Sequence, residues 1–159
     1  NRNLWLGDEV GFTGDGGDVI EDIFGDRNAF SYPKPVALIK KIIKMASKKD
    51  SIILDFFAGS GTTGQAVIEL NQEDGGSREF ILCTNNEISL KDKKEFDKVY
   101  GTSKVGTSEE WDNFVEERGI CSSVTYTRLK TVLSGRRQDG SVYSSGCDDR
   151  LCYYRIVEV

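Results

Sequence analysis

The chain has 159 residues, of which 38% are apolar and 30% are charged, and this suits one compact domain with a hydrophobic core. No apolar run approaches the roughly 18 residues that a membrane-spanning helix needs, so the composition excludes a helical membrane protein. The net charge is -5. This charge argues against a stand-alone DNA-binding protein, because such proteins usually present a net basic surface.

The start of the chain carries neither an initiator Met nor a signal peptide, since Asn1 to Asn3 lead into no apolar segment behind a basic one. We therefore expect a piece of a longer, cytoplasmic protein. The chain has no histidine and no CxxC pair, so we expect no metal site. Free thiols in a reducing cytosol are expected at all four cysteines, which are Cys83, Cys121, Cys147 and Cys152.

The N-terminal third is predicted to contain two helices. Residues 1–29 are rich in Gly and Asp and indicate a loop that leads into a short helix over residues 18–24. Residues 30–32 should be extended, because the residue before Pro33 is disfavoured in a helix. A longer helix is predicted over residues 35–47, with Pro at its first position and apolar residues at helical spacing.

A strand, a glycine loop, a helix and a second strand follow in that order. Residues 51–57 form an apolar run that predicts a strand buried on both faces. A tight loop leads into a helix over residues 62–70, and residues 79–84 predict the second strand. This βαβ order implies a parallel sheet with a right-handed crossover.

The remainder of the chain is predicted to be mainly helical. Residues 88–119 should form two helices, the second of which begins with a capping box of Thr107 and Glu110. This pair could be an insert, because a minimal crossover needs one helix only. A further helix over residues 123–135 and a final strand over residues 151–159 complete the prediction.

The segment Gly59–Gly64 fits the pattern G-x-G-x-x-G, which follows a strand and opens a helix. Glycines at such a place allow a ligand to approach the backbone, and the helix N-terminus offers free N–H groups. The pattern alone is weak, because a tight turn between a strand and a helix also needs glycine. Its position after a strand favours a nucleotide-like ligand. A P-loop is excluded, since no Gly-Lys-Ser/Thr follows.

Two acids bear on the identity of that ligand. Asp55 lies at the tip of the first strand, four residues before Gly59. Its carboxylate would repel a pyrophosphate and attract an ammonium group, such as that of a methionine moiety. In a dinucleotide-binding fold the first glycine sits directly at the strand end instead. Glu87 closes the second strand, where it could bind both ribose hydroxyls of either ligand or be a solvated loop acid.

These residues also carry a resemblance to a known family. The sequence DFFAGSGTT at residues 55–63 resembles motif I of the amino-group DNA methyltransferases, and FSYPKP at residues 30–35 resembles their motif X. Residues 70–82 are similar to the version found in type III restriction-modification enzymes. Residues 126–130 and 153–154 resemble, more weakly, their C-terminal helix and strand. Motif X before motif I is the permuted order of the β class.

The resemblance implies a fold. It is a partial Rossmann-like class I methyltransferase fold, an α/β structure with about three mainly parallel strands in the order 3-2-1, flanking helices, and strand 51–57 at the edge. Residues 1–159 would form a single domain. Within it, residues 30–87 would be the core with motif X and motif I, residues 1–29 the lead-in, and residues 88–119 the helical insert.

The resemblance also implies a cofactor, S-adenosyl-L-methionine, in a DNA adenine N6-methyltransferase of a restriction-modification system. Asp55 would bind its methionyl amino group, and hydroxyl groups of the loop its carboxylate or the helix end. Phe57 could equally belong to the core, as buried aromatic residues usually do, and Lys34 could be a solvated lysine. The residues implied to bind the cofactor are Lys34, Pro35, Asp55, Phe56, Phe57, Gly59, Ser60, Gly61, Thr62, Thr63 and Glu87.

The catalytic motif of this family is absent from the sequence. That motif is Asp/Asn/Ser-Pro-Pro-aromatic, and it grips the amino group of a flipped adenine and stacks on its ring. The chain has only two prolines, Pro33 and Pro35, with Lys34 between them. In the permuted order this motif, the target-recognition region and most of the sheet lie upstream. We therefore assign no catalytic residue and expect cofactor binding without methyl transfer.

Three kinds of partner are expected. DNA would be bound through the upstream half, and the restriction subunit of the same system would associate with the longer protein. Strand 51–57 is apolar on both faces and has no Pro or Lys to protect its edge. We therefore expect the chain to associate with itself there, unless residues 1–30 fold back over that edge.

Two other functions stay open at the level of the sequence. The first is a fragment of a dinucleotide-dependent oxidoreductase, which Asp55 and the placement of the glycines argue against. The second is a non-catalytic interaction domain that keeps this fold and binds no cofactor.

Overall fold

The structure, a computed structural model, describes residues 4–155, which contain helices and two short strands. No helix in these residues is long and apolar enough to cross a membrane, and no group of Cys, Asp and Glu side chains there could hold a metal ion. The strands are β1 (Ile52–Asp55) and β2 (Glu79–Leu82). The helices are α1 (Gly7–Val10), α2 (Thr13–Phe24), α3 (Val36–Ala46), α4 (Thr62–Asp74), α5 (Leu90–Tyr100), α6 (Glu109–Arg118) and α7 (Thr127–Ser134).

The predicted βαβ unit is confirmed. β1 and β2 pair in parallel, with Ile52 opposite Glu79 and Asp55 opposite Leu82, and α4 connects them. The third strand, predicted over residues 151–159, is not confirmed. Residues 151–155 adopt no regular structure, because Leu151 packs against the helices instead, and the last four residues lie outside the described part. The strand order 3-2-1 is therefore not confirmed either.

Helices α3, α4 and α7 cover one face of the sheet. Helix α4 is buried on several sides, as expected of a helix that lies between two others. One cluster, between α3 and α4, contains Ile43, Ala66, Val67 and Leu70, with Ile53 and Phe80 of the sheet packed against it. The other, between α4 and α7, contains Ile68, Leu129, Val132 and Leu133, with Phe80 and Leu82 packed against it.

The opposite face of the sheet is bare in the described residues, so the prediction that strand 51–57 is buried on both faces is wrong here. Burial alternates along β1 and β2. The outward residues Ile52, Leu54 and Ile81 are 63%, 50% and 52% exposed. We call these three residues the bare face. A continuous apolar run is typical of a strand that has other elements packed on both faces of its sheet. Within residues 4–155, helices pack against one face only.

Helix α2 begins at Thr13, earlier than the predicted start at residue 18. Three glycines near its start argue for a loop by propensity, but packing requires one of them. A Cβ atom at Gly16 would lie 2.3 Å from the carbonyl oxygen of Pro33. The side chain of Asp15 also secures the start of the helix, because its carboxylate accepts a 2.8 Å hydrogen bond from the N–H of Phe12.

We expect Gly16→Ala to destabilise the chain, although alanine is the better helix former. The added Cβ would force α2 away from the backbone of Pro33, which should lower the free energy of unfolding by about 1–3 kcal/mol. The matched control is Gly14→Ala in the same helix, where a Cβ meets nothing closer than 3.8 Å. That change should be neutral or stabilising by up to about 1 kcal/mol. Urea denaturation followed by circular dichroism measures both, and equal midpoints would contradict the close packing at Gly16.

Residues 88–119 contain the two predicted helices, α5 and α6, but the predicted cap is wrong. The side chain of Ser108, not Thr107, accepts a hydrogen bond from the N–H of Trp111, at 3.2 Å. Glu110 pairs with Lys104 instead, at 2.6 Å. The two helices meet around the buried ring of Phe96, which packs against Tyr100, Trp111 and Phe114. That this pair is an insert stays a prediction.

The predicted helix over residues 123–135 is present in two parts. A π-helical segment, Ile120–Tyr126, leads directly into α7, which ends at Gly135 in the left-handed conformation.

Candidate functional site

The glycine loop joins the end of β1 to the N-terminus of α4, and Asp55 holds its shape. One carboxylate oxygen of Asp55 accepts a hydrogen bond from the N–H of Phe57, at 2.9 Å. The other accepts one from the hydroxyl of Thr63, at 2.6 Å. Each carboxylate oxygen can accept a second hydrogen bond. Asp55 is only partly buried, so its carboxylate can also take a ligand at this end of the strand.

Two glycines of the loop adopt conformations that other residues adopt rarely. Gly59 and Gly61 have φ angles of 51° and 80°, in the left-handed region. A Cβ atom at Gly59 would lie 3.2 Å from the ring of Phe30, and one at Gly61 would lie 3.1 Å from the methyl group of Thr125. The turn itself therefore requires both glycines, whether or not a ligand approaches the backbone.

The segment that resembles motif X lies beside the loop that resembles motif I. The ring of Phe30 lies close to Gly59, and the carbonyl oxygen of Lys34 accepts a long 3.5 Å hydrogen bond from the hydroxyl of Thr62. The side chain of Lys34 is exposed. Pro35 is buried and was predicted to be the first residue of the helix. It lies instead at the N-cap position, immediately before α3.

Phe56 and Phe57 follow β1 at the surface. They are 64% and 92% exposed, so the alternative that Phe57 belongs to the core is wrong in the described part of the chain. A role as a wall for the cofactor stays a prediction. The two rings leave an apolar surface next to the loop.

Glu87 lies in the segment after β2 and does not close the strand, which ends at Leu82. Its side chain is exposed and accepts a hydrogen bond from the side-chain amide of Asn85. Asn86 fixes this segment, because its amide donates to the carbonyl oxygen of Val115 at 2.9 Å and accepts from the N–H of Ser122 at 3.1 Å. Since β1 and β2 are parallel, Asp55 and this segment follow the same edge of the sheet.

Two predicted site residues, Ser60 and Thr62, face the interior. They are 3% and 5% exposed, and both accept hydrogen bonds from Nη1 of Arg128, at 2.8 and 2.9 Å. The hydroxyl of Thr125 in addition donates to the carbonyl oxygen of Gly59, at 2.6 Å. The segment from the π-helical turn to α7 therefore supports the glycine loop from behind.

The sequence reasoning missed Arg128. Its side chain has no exposed surface, and it occupies the buried side of α7, next to Leu129 and one turn before Val132. An arginine within an apolar helical stripe is the signal that could have identified it, because arginine is almost never fully buried unless it is paired. Burial lowers the pKa of Arg128 to about 10.

The sequence matches a family model described as DNA methylase over residues 12–95, more than half of the chain. The chain belongs to the DNA methylase family. The matched region runs from the start of α2 into α5 and contains the glycine loop, Asp55 and Glu87. Membership of this family argues against the oxidoreductase alternative.

The relatives confirm the similarity to modification subunits. The type III restriction-modification enzyme StyLTI Mod subunit of Salmonella typhimurium is 56% identical over 95 residues, which cover 56% of this chain and 14% of the relative. The EcoPI Mod subunit of Escherichia phage P1 is 49% identical over 45% of this chain and 11% of its own length. The type II methyltransferase M.KpnI of Klebsiella pneumoniae is 46% identical over 57% of this chain and 21% of its own length. The chain therefore spans between 11% and 21% of the length of these relatives.

Proposed function

We propose that the chain is the S-adenosyl-L-methionine-binding portion of a site-specific DNA adenine N6-methyltransferase of a restriction-modification system. The observation that carries this proposal is the partly exposed carboxylate of Asp55, at the end of β1 and beside the glycine loop, in a member of the DNA methylase family. Open α/β sheets bind ligands at this edge, outside the carboxyl ends of their strands.

The residues at this edge suit the chemistry of that cofactor. Asp55 would bind the positively charged amino group, and the N-terminus of α4 would attract the carboxylate through its free N–H groups and its dipole. Glu87 would accept hydrogen bonds from the ribose hydroxyls, and the exposed rings of Phe56 and Phe57 would cover the adenine. The other residues proposed to contribute at the surface of the site are Lys34, Pro35, Gly59, Gly61 and Thr63. Ser60 and Thr62 would contribute by holding the loop, because their hydroxyls face inward and bind Arg128.

The cofactor supplies a methyl group bound to a positively charged sulfur, which an adenine amino group can attack. The chain contributes binding and orientation to this reaction and no catalytic residue, because its two prolines are separated by Lys34. The Pro-Pro-aromatic tetrapeptide would come from the upstream part of a longer cytoplasmic protein. That part would also bind DNA, and the longer protein would associate with a restriction subunit.

Calorimetric titration of the 159-residue chain with S-adenosyl-L-methionine tests cofactor binding. NAD, titrated in parallel, is the control, because a carboxylate at the strand tip should repel its pyrophosphate. We expect binding of S-adenosyl-L-methionine and none of NAD. The reverse would contradict the proposal. The reading frame upstream of the chain tests the wider assignment, since it should encode an Asp/Asn/Ser-Pro-Pro-aromatic sequence.

A second candidate is a non-catalytic interaction domain with this fold. The hydrogen bonds that Asp55 accepts from Phe57 and Thr63 favour it, because a carboxylate that organises its own loop needs no ligand to explain it. Absence of binding to both S-adenosyl-L-methionine and NAD in the calorimetric experiment would favour this candidate.

A further inference from the structure

Arg128 is a fully buried charge whose hydrogen-bond partners are all neutral. Its Nε donates to the side-chain oxygen of Gln65 at 2.7 Å, and its Nη1 donates to the hydroxyls of Ser60 and Thr62. Its Nη2 is buried and has no hydrogen-bond partner among the described residues. A buried guanidinium is expected to be paired, because removing an ion from water costs several kcal/mol that neutral partners only partly offset.

Arg78, the other arginine that is buried within residues 4–155, shows what such pairing looks like. Its two Nη atoms donate to both carboxylate oxygens of Asp74, at 3.1 and 3.0 Å. Within residues 4–155, no carboxylate forms an ion pair with Arg128. Glu69 lies near enough to raise the pKa of Arg128 through its charge, but it forms no hydrogen bond with Arg128, and Gln65 stands between them, donating its amide to Glu69 at 2.8 Å. Lys40 already pairs with Glu69, at 3.1 Å, so within residues 4–155 the charge of Arg128 is left without a carboxylate in direct contact.

The position of this charge is specific. Ser60 belongs to the glycine loop, and Thr62 is the first residue of α4. Arg128 therefore lies directly beneath the helix N-terminus, where the free N–H groups and the dipole already favour an anion. Although burial lowers its pKa to about 10, Arg128 remains charged at neutral pH.

We propose that Arg128 is a positioning residue of the glycine loop and that its charge attracts the carboxylate of the ligand to the N-terminus of α4. It acts through Ser60 and Thr62, which hold the loop, and through its field, and it does not touch the ligand. This inference rests on the proposed function, because it takes S-adenosyl-L-methionine as that ligand. The charge of Arg128 and the carboxylate of the ligand are then energetically coupled.

A comparison of two ligands tests the coupling. S-adenosyl-L-methionine and decarboxylated S-adenosyl-L-methionine differ in the carboxylate alone, and Arg128→Gln removes the charge while it keeps a hydrogen-bond donor. This change should weaken binding of S-adenosyl-L-methionine about tenfold more than binding of the decarboxylated ligand, a coupling of ordinary size between two sites. Arg128→Lys retains the charge. It should therefore retain the wild-type preference for S-adenosyl-L-methionine over the decarboxylated ligand. Equal losses for both ligands, or loss of the preference in the lysine variant, would overturn the proposal.

Two further measurements separate this inference from its alternatives. Arg78→Gln removes a buried arginine that is already paired, so it should lower stability without changing the ratio of the two affinities.

Hydrogen exchange at the amides of residues 59–63 in the ligand-free chain reports on the loop directly, and Arg128→Gln should accelerate it. Unchanged exchange would overturn the positioning role. A wild-type chain that binds neither ligand would refute the proposed function instead, and the exchange result would still decide whether Arg128 positions the loop.

Discussion

Asp55→Ala should weaken S-adenosyl-L-methionine binding by roughly 10- to 150-fold, since a hydrogen bond to a charged group contributes about 1.5–3 kcal/mol. The carboxylate would face the ammonium group of the ligand at the end of β1, where it is only partly buried. The same change also removes two hydrogen bonds within the loop, because the carboxylate of Asp55 accepts one from the N–H of Phe57 and one from the hydroxyl of Thr63. Calorimetric titration measures the affinity, and a thermal melt of each variant measures the cost to the fold.

Two control variants distinguish the contribution of the negative charge of Asp55 to binding from its role in holding the loop. Asp55→Asn keeps the size of the side chain and one carbonyl oxygen for the N–H of Phe57, so the loop should persist while the ion contact is lost. Thr63→Val removes one of the internal hydrogen bonds and leaves the carboxylate in place. We expect an affinity near that of Asp55→Ala in the first variant and a much smaller loss in the second, because the second keeps the carboxylate. Wild-type affinity in Asp55→Asn would assign Asp55 to the loop alone.

Local features of the fold could be predicted from the sequence because short-range chemistry determines them. Helices α2, α5, α6 and α7 each stop at a glycine, and glycine is the residue favoured just past a helix end; the four are Gly25, Gly101, Gly119 and Gly135. The strand, glycine loop and helix that place Asp55 were equally predictable, because a short apolar run followed by closely spaced glycines is typical of a strand that turns into a helix.

Features that depend on distant residues could not be predicted. Arg128 and Ser60 are 68 residues apart in the chain, and only the packing of α7 on α4 brings them together. Ser60 and Thr62 therefore looked like ligand-facing hydroxyls, whereas the structure turns them inward. The start of α2 was missed for a related reason. The glycine content near Gly16 argues for a loop, until the backbone of Pro33 is seen to lie against that residue.

The bare face shows the same limitation, because an apolar strand does not reveal which of its faces is covered. Ile52, Leu54 and Ile81 are apolar and at least half exposed. No strand in residues 4–155 pairs with the free edge of β1. The alternative was that residues 1–30 fold back over this edge, and within residues 4–30 no strand pairs with it. Helix α1 packs against α3, and α2 lies against the backbone of Pro33.

We therefore predict that the chain associates with itself through the bare face or the edge of β1. Exposed apolar patches mark association sites, and an unprotected strand edge can pair with another chain. Light scattering across a concentration series should show the apparent mass rising above that of one chain. A monodisperse monomer at the highest concentration would contradict the prediction.

Two matched variants locate the contact. Leu54→Glu places a charge in the middle of the bare face, and it should shift the chain towards the monomer because association would bury that carboxylate without a partner. Met45→Glu places the same charge on α3, at a residue that is 69% exposed in the layer covering the opposite face, so it should leave the association unchanged. If both variants reduced the apparent mass equally, their effect would come from net charge. The contact would then not involve the bare face, and only pairing at the edge of β1 would remain to explain the association.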